Sequence, residues 1–368
     1  MQSPFFPQEV ANHFRKSHLA RALEQSKNMK PWSHRASMEG LELDWERYER
    51  VDMLASLCPN LEELEAGADR WNDVLFGLSP GSLARLRHVA LTHLHWEDGR
   101  SFAQLGQVVA VAPRLSRLIC FRVSQTVRDM ERLPTFAYLT ELRLYRSAVG
   151  PTALRRLLAA CPQLRLFTYT AGGCWIGPDQ ASPLDFQRAI LRYVPNLVSL
   201  TLDVSYADTD NDSDIDTSTW SDDYSDSGTG SADRKDPRVI TSLAELTSLE
   251  YLALDMRCLL PDPSDLVPMA DSMLLVSVLP TSIRSLRITQ DTAGSPLDLH
   301  PCGFEPLRRP LRRLASAAPD GFPLLKDVTL CGAWDEDIED LRFVFKRQGV
   351  SVRWERTEQA AKHTAMFR

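Results

Sequence analysis

The chain predicts a single α/β solenoid, a curved parallel sheet backed on its convex side by helices. Two observations predict it. The first is a six-residue beat, L-x-x-L-x-L with any apolar residue at the three Leu places. It recurs as MEGLEL at 38, LEELEA at 61, LRHVAL at 86, LSRLIC at 115 and LTELRL at 139. It continues as LRLFTY at 164, LVSLTL at 197, LEYLAL at 249, IRSLRI at 283 and LKDVTL at 325. The second is a Pro-x-Leu step just before or at the start of the beat, in CPNLEEL, APRLSRL, CPQLRLF, VPNLVSL and FPLLKDV.

The first five intervals are 23, 25, 29, 24 and 25 residues, and the later ones are 33, 52, 34 and 42. Self-similarity at this period is the mark of leucine-rich repeats, about ten of them here. The last two apolar residues of each beat stand two apart, so both point to one face of a short strand. Strands from successive repeats then pair in parallel, which requires a crossover.

The crossovers read as helices. In 101–112, Ser101 and Gln104 have capping-box spacing, and Phe102, Leu105, Val109 and Ala112 form the expected buried stripe. In 150–161, Pro151 suits the first turn, and Leu154, Leu157, Leu158 and Cys161 share one face while Arg155 and Arg156 point outward. In 182–194, Ser182 caps, Pro183 begins the helix, and Phe186, Ile190 and Tyr193 follow the stripe. One buried Leu contributes roughly 1.5–3 kcal/mol, so a repeat is stable only within the stack.

Residues 1–37 are expected to form an N-terminal helical cap, 38–356 the repeat domain and 357–368 a tail. The longest interval is explained by an insertion at 206–236, with ten Asp against Arg234 and Lys235, a formal −8. Few apolar residues and high like charge predict disorder there. The whole chain carries −7, so the remainder stands at +1. That near-neutral balance argues against nucleic acid or an anionic membrane as a general partner. Seven dispersed Cys without a C-x-x-C pair read as reduced thiols, which places the protein in the cytoplasm or nucleus. The first thirty residues lack the apolar run of a signal peptide.

The run 139–169 resembles the cysteine-containing, ribonuclease-inhibitor-like subclass of leucine-rich repeats, whose unit ends its helix in Cys-Pro-x-Leu. Cys58-Pro59 and Cys161-Pro162 keep that pair. The closing segment DEDIEDLRFVFKRQGVSVRWE reads as a last helix and a strand ending in Trp354. With it, the chain resembles the fungal F-box/LRR-like family. The resemblance implies repeats that capture a substrate, and an F-box that docks the Skp-type adaptor of a cullin–RING ubiquitin ligase. Residues 1–37 match no F-box, so no docking residue is carried over. The alternative is a free-standing repeat scaffold with no ligase link.

On the expected concave face, the first strands are acidic, with Gly40, Glu42 and Asp44, then Glu63 and Glu65. The centre carries Arg117, Phe121, Arg143 and Tyr145, types enriched at binding hot spots. Glu141, Tyr251, Ala253, Asp255 and Arg287 continue the face. A protein partner is expected there, bound by a monomer.

No cofactor, metal or enzymatic role is expected. His93 and His95 stand only two apart, without a completing cluster. Cys174 reads as a loop thiol, and LRRPLRR at 307–313 as a solvated helix face. The D-x-D-x-D at 208–212 lacks the glycine of a calcium loop and has Thr219 at the twelfth place. Phosphate-loop, dinucleotide, nucleophile-elbow and zinc-protease motifs are absent. Within the insertion, Ser213 and Thr219 each have Asp three places on. Ser227 and Ser231 fall in a D-S-G-x-x-S pattern. These four are the expected regulatory phosphorylation sites.

Overall fold

The computed structural model describes residues 35–37, 60–67, 79–92, 108–121, 123, 133–172, 180–204, 239–260, 271–290, 304–332 and 338–356. Among the described residues eleven strands form one parallel sheet in sequential order, and the sheet does not close on itself. They are β1 (Arg35–Ser37), β2 (Glu63–Gly67), β3 (His88–Thr92), β4 (Arg117–Phe121), β5 (Glu141–Ser147) and β6 (Leu166–Ala171). Then come β7 (Ser199–Asp203), β8 (Tyr251–Asp255), β9 (Ser285–Thr289), β10 (Asp327–Gly332) and β11 (Ser351–Arg356). The chain is a leucine-rich repeat solenoid.

The Leu beat sets the register. Leu64, Val89, Leu118, Leu142, Phe167, Leu200, Leu252, Leu286 and Val328 lie opposite one another in one row. All nine are buried, and they belong to one continuous core from Leu61 to Val350. A second backbone rhythm locks the stack. The carbonyl of Arg87 accepts from both Ser116 and Arg117, and that of Ser116 from both Thr140 and Glu141. The same double acceptance continues at Thr140, Arg165, Val198, Glu250 and Arg284.

The Pro-x-Leu step has a physical cause. Leu115, Leu164, Leu197 and Leu325 donate back to the carbonyls of Ala112, Cys161, Val194 and Phe322, closing a turn before each strand. Pro113, Pro162, Pro195 and Pro323 occupy the second place of that turn, where a fixed φ is an advantage.

Five helices have defined bounds: α1 (Pro151–Ala159), α2 (Pro183–Tyr193), α3 (Leu274–Val278), α4 (Glu305–Gly321) and α5 (Glu339–Lys346). In α1, Leu154, Leu157 and Leu158 are buried, with Cys161 just beyond, and Arg155 and Arg156 are exposed. In α2, Ser182 and Asp185 form a reciprocal capping box, and Phe186, Gln187, Ala189 and Ile190 are buried. Gln187 reaches the next repeat, accepting from the Thr241 backbone N–H at 2.7 Å. A glycine turn ends α5: Gly349 sits at φ 73, and Val350 N–H returns to the Phe345 carbonyl at 3.1 Å. That αL cap aims the chain into β11.

Three expectations change. The first strand pairs through Arg35–Ser37, with Ala36 opposite Leu64, rather than through MEGLEL. Residues 38–59, with Gly40, Glu42 and Asp44, lie outside the described residues, as do 1–34. The helical stripe near 101–112 is rotated: Val108, Val111 and Ala112 are buried, while Val109 is only half-buried. Two residues of LRRPLRR are not simply solvated. Arg308 and Arg312 both reach Asp340 of α5, at 3.3 and 2.5 Å.

Candidate binding face

The concave face is built from the residues that alternate with the buried row. Across β4 and β5, Arg117 lies opposite Glu141, Ile119 opposite Arg143 and Phe121 opposite Tyr145. These cross-strand pairs interact directly. Arg117 Nε reaches Glu141 Oε2 at 2.5 Å, and an Arg143 terminal nitrogen reaches Oε1 at 2.6 Å. The rings of Phe121 and Tyr145 lie 4.9 Å apart, tilted by 30°. The Arg143 fork also comes within 3.5 Å of the Tyr145 hydroxyl. Burial opposes the Arg143 charge, yet the Tyr145 hydroxyl and Glu141 carboxylate together hold its pKa above the ordinary value.

Glu141 departs from the expected solvated position. Its side chain is only 4% exposed, against 45% for Arg117 and 33% for Arg143. A short side chain between two long ones is covered by their stems, which leaves the guanidiniums to face water.

Beside this patch β5 carries an irregularity. The pairing with β6 shifts between Leu144 and Ser147, so Tyr145 and Arg146 together oppose one residue. Arg146 takes φ 48, and its N–H donates to Thr170 Oγ1 at 2.8 Å. Buried Ser147 anchors the far end. Its hydroxyl accepts from Val123 N–H at 3.1 Å and donates to the Tyr145 carbonyl at 2.9 Å, and its carbonyl accepts from the Tyr169 hydroxyl at 2.7 Å. A bulge of this kind re-aims the neighbouring side chain. Here that neighbour is Tyr145.

The other expected residues do not join this patch. Arg287 pairs instead with Glu355 of β11 at 2.8 Å. Burial pushes the Tyr251 hydroxyl pKa up, against the opposing charge of Arg287. β9 stands four strand spacings from β5, roughly 19 Å. Asp255 is a correction. It is 1% exposed, and its carboxylate accepts from Arg257 N–H at 2.7 Å, capping the short turn Met256–Cys258. Its neighbour Ala253 is also buried, because a methyl group beside Arg287 in register cannot reach solvent. At the described acidic strand end, His88 Nδ1 meets Glu63 Oε1 at 2.9 Å.

Sequence reasoning missed two contributors. Leu166 stands opposite Glu141 on β6 and is 38% exposed. Its place in the alternation was legible, but a Leu beside the Leu beat reads as core. Glu355 was hidden because β11 follows no full hexamer. His93, His95, Cys174, Ser213, Thr219, Ser227 and Ser231 lie outside the described residues. Among the described residues no cluster of three His, Cys, Asp or Glu could hold a metal. No helix among them is long and apolar enough to cross a membrane.

The fold and face define a class, a leucine-rich repeat solenoid with a basic–aromatic patch at its centre. No family model matches the chain, and no curated protein does. Among solved structures, an internalin from Listeria monocytogenes covers 85% of this chain and 90% of its own length, at 12% identity and a TM-score of 0.34. The assignment to leucine-rich repeats therefore stands on the strand order and the repeat register.

Proposed function

We propose that this protein is a non-enzymatic binding module that captures another protein on its concave face. The observation that carries the reading is the central patch, where two partly exposed arginines and a Phe–Tyr pair sit on adjacent strands of a rigid sheet. Arg and aromatic side chains on a rigid support lose little entropy on binding. The finer reading is substrate recognition for a cullin–RING ubiquitin ligase in the cytoplasm or nucleus. It is supported by the sequence resemblance of 139–169 and of the closing helix and strand. Ser213, Thr219, Ser227 and Ser231 enter it as phosphorylation sites that tune binding.

The test is a tagged pull-down from native extract, scored for the Skp-type adaptor and the cullin. Recovery of both supports the ligase reading. Recovery of neither, with another protein held through the patch, supports the free-standing scaffold. If Arg143→Ala with Tyr145→Ala releases no captured protein, the concave-face reading fails.

A further inference from the structure

We propose that the β4–β6 patch takes an acidic peptide segment of a partner protein. A carboxylate sits on Arg117 and Arg143, one apolar side chain packs on the Phe121–Tyr145 pair, and a second packs on Leu166 at the other end of the strands. The inference rests on the reading that the concave face binds protein, and it names the chemistry of the partner.

The first argument is charge. Two guanidiniums share one carboxylate, and that carboxylate is the buried member. A partner therefore meets net positive charge at β4 and β5. The second is donor count. Arg117 bonds Glu141 through Nε, and its two terminal nitrogens make no hydrogen bond among the described residues. A guanidinium edge of this kind matches a carboxylate in fork geometry. The third is the apolar flank. Ile119 and Tyr145 line the same strands as the arginines, and Leu166 lies beside Glu141 on the next. Acid alone would leave these surfaces wet, so the fitting segment alternates acidic with aromatic or aliphatic residues. Nucleic acid fits poorly, because its affinity is built from many phosphate contacts and this patch has two guanidiniums.

The experiment pans a display library of random short peptides on the full chain. Enriched sequences should carry Asp or Glu beside Phe, Tyr, Leu or Ile. A fluorescein-labelled copy of the leading peptide should then bind by anisotropy, less tightly as salt rises. Arg117→Gln with Arg143→Gln should weaken it by about tenfold or more. Glu141→Gln should tighten it, because both guanidiniums lose their internal competitor. A purely structural role for the cluster gives the opposite sign. Should the double variant melt early, the triple variant with Glu141→Gln strands no buried carboxylate and is read in its place.

Enrichment of basic or neutral peptides, no enrichment, or binding indifferent to the arginines overturns the proposal. A neutral peptide lost on Tyr145→Ala would overturn only the acidic partner and leave the concave-face reading standing. Peptide binding that appears only after deletion of 206–236 would assign the patch to the chain's own acidic stretch and overturn an external occupant.

Discussion

At Glu141 one buried carboxylate holds two arginines, and the three groups are unequal. Removing both arginines takes the two cations from an acid that is 4% exposed in the intact chain. Removing the acid leaves two guanidiniums that water already reaches. Arg117→Gln with Arg143→Gln should thus cost more than loss of the acid, roughly 2–3 kcal/mol, since the shorter side chains still cover part of a carboxylate left without its donors. Glu141→Gln should cost about 1 kcal/mol. Urea denaturation of the two variants checks the order, and equal losses would refute it. Glu141 was legible as a strand residue but not as a buried one. Its covering side chains come from a neighbouring strand and its own, and Arg117 stands 24 residues away. Asp255 failed for the same kind of reason: its carboxylate found a backbone N–H two residues on, which alternation does not encode.

Helices α1 and α2 were legible almost residue by residue, because a 3.6-residue stripe and a Pro in the first turn are local signals. Ser182→Ala should cost about 1 kcal/mol, since it frees the Asp185 N–H and leaves only the backbone half of the capping box. Ser182→Asn should retain most of it, and thermal melts separate the two. The α4–α5 contact was not legible, since nothing in LRRPLRR names its partner. Asp340 loses some solvation there, yet hydrogen bonds and charges from Arg312 and Arg308 lower its pKa. A carboxyl whose folded pKa lies below its unfolded one contributes stability above the unfolded value and loses it as pH falls through the folded one. Asp340→Asn should therefore lower Tm near neutrality and make no difference well below about pH 4. Parallel melting curves at all pH values would count against the clamp.

Over the whole molecule, a single core runs through every described repeat, and four thiols are sunk in it. Cys120, Cys161, Cys258 and Cys331 are buried. Burial pushes the Cys331 thiol to about 11, and Cys161 and Cys258 also upward. A raised thiol pKa and no access both suppress thiolate attack. Of seven cysteines, the native chain should react with an aromatic disulfide reagent at no more than three, and the unfolded chain at all seven. A fourth fast thiol would show that the stack opens locally.

By itself the sequence determined the repeat, the strand beats from β2 to β10 and the buried faces of α1 and α2. These follow from periods of two and 3.6 residues and from proline's fixed φ, all of them local. Only the tertiary structure decided which polar residues of the concave face meet water. It joined Arg117, Glu141 and Arg143, sent Arg287 to Glu355 and sank Asp255. The physical reason is that strand register sets side chains tens of residues apart side by side, and their lengths and charges then decide which is covered.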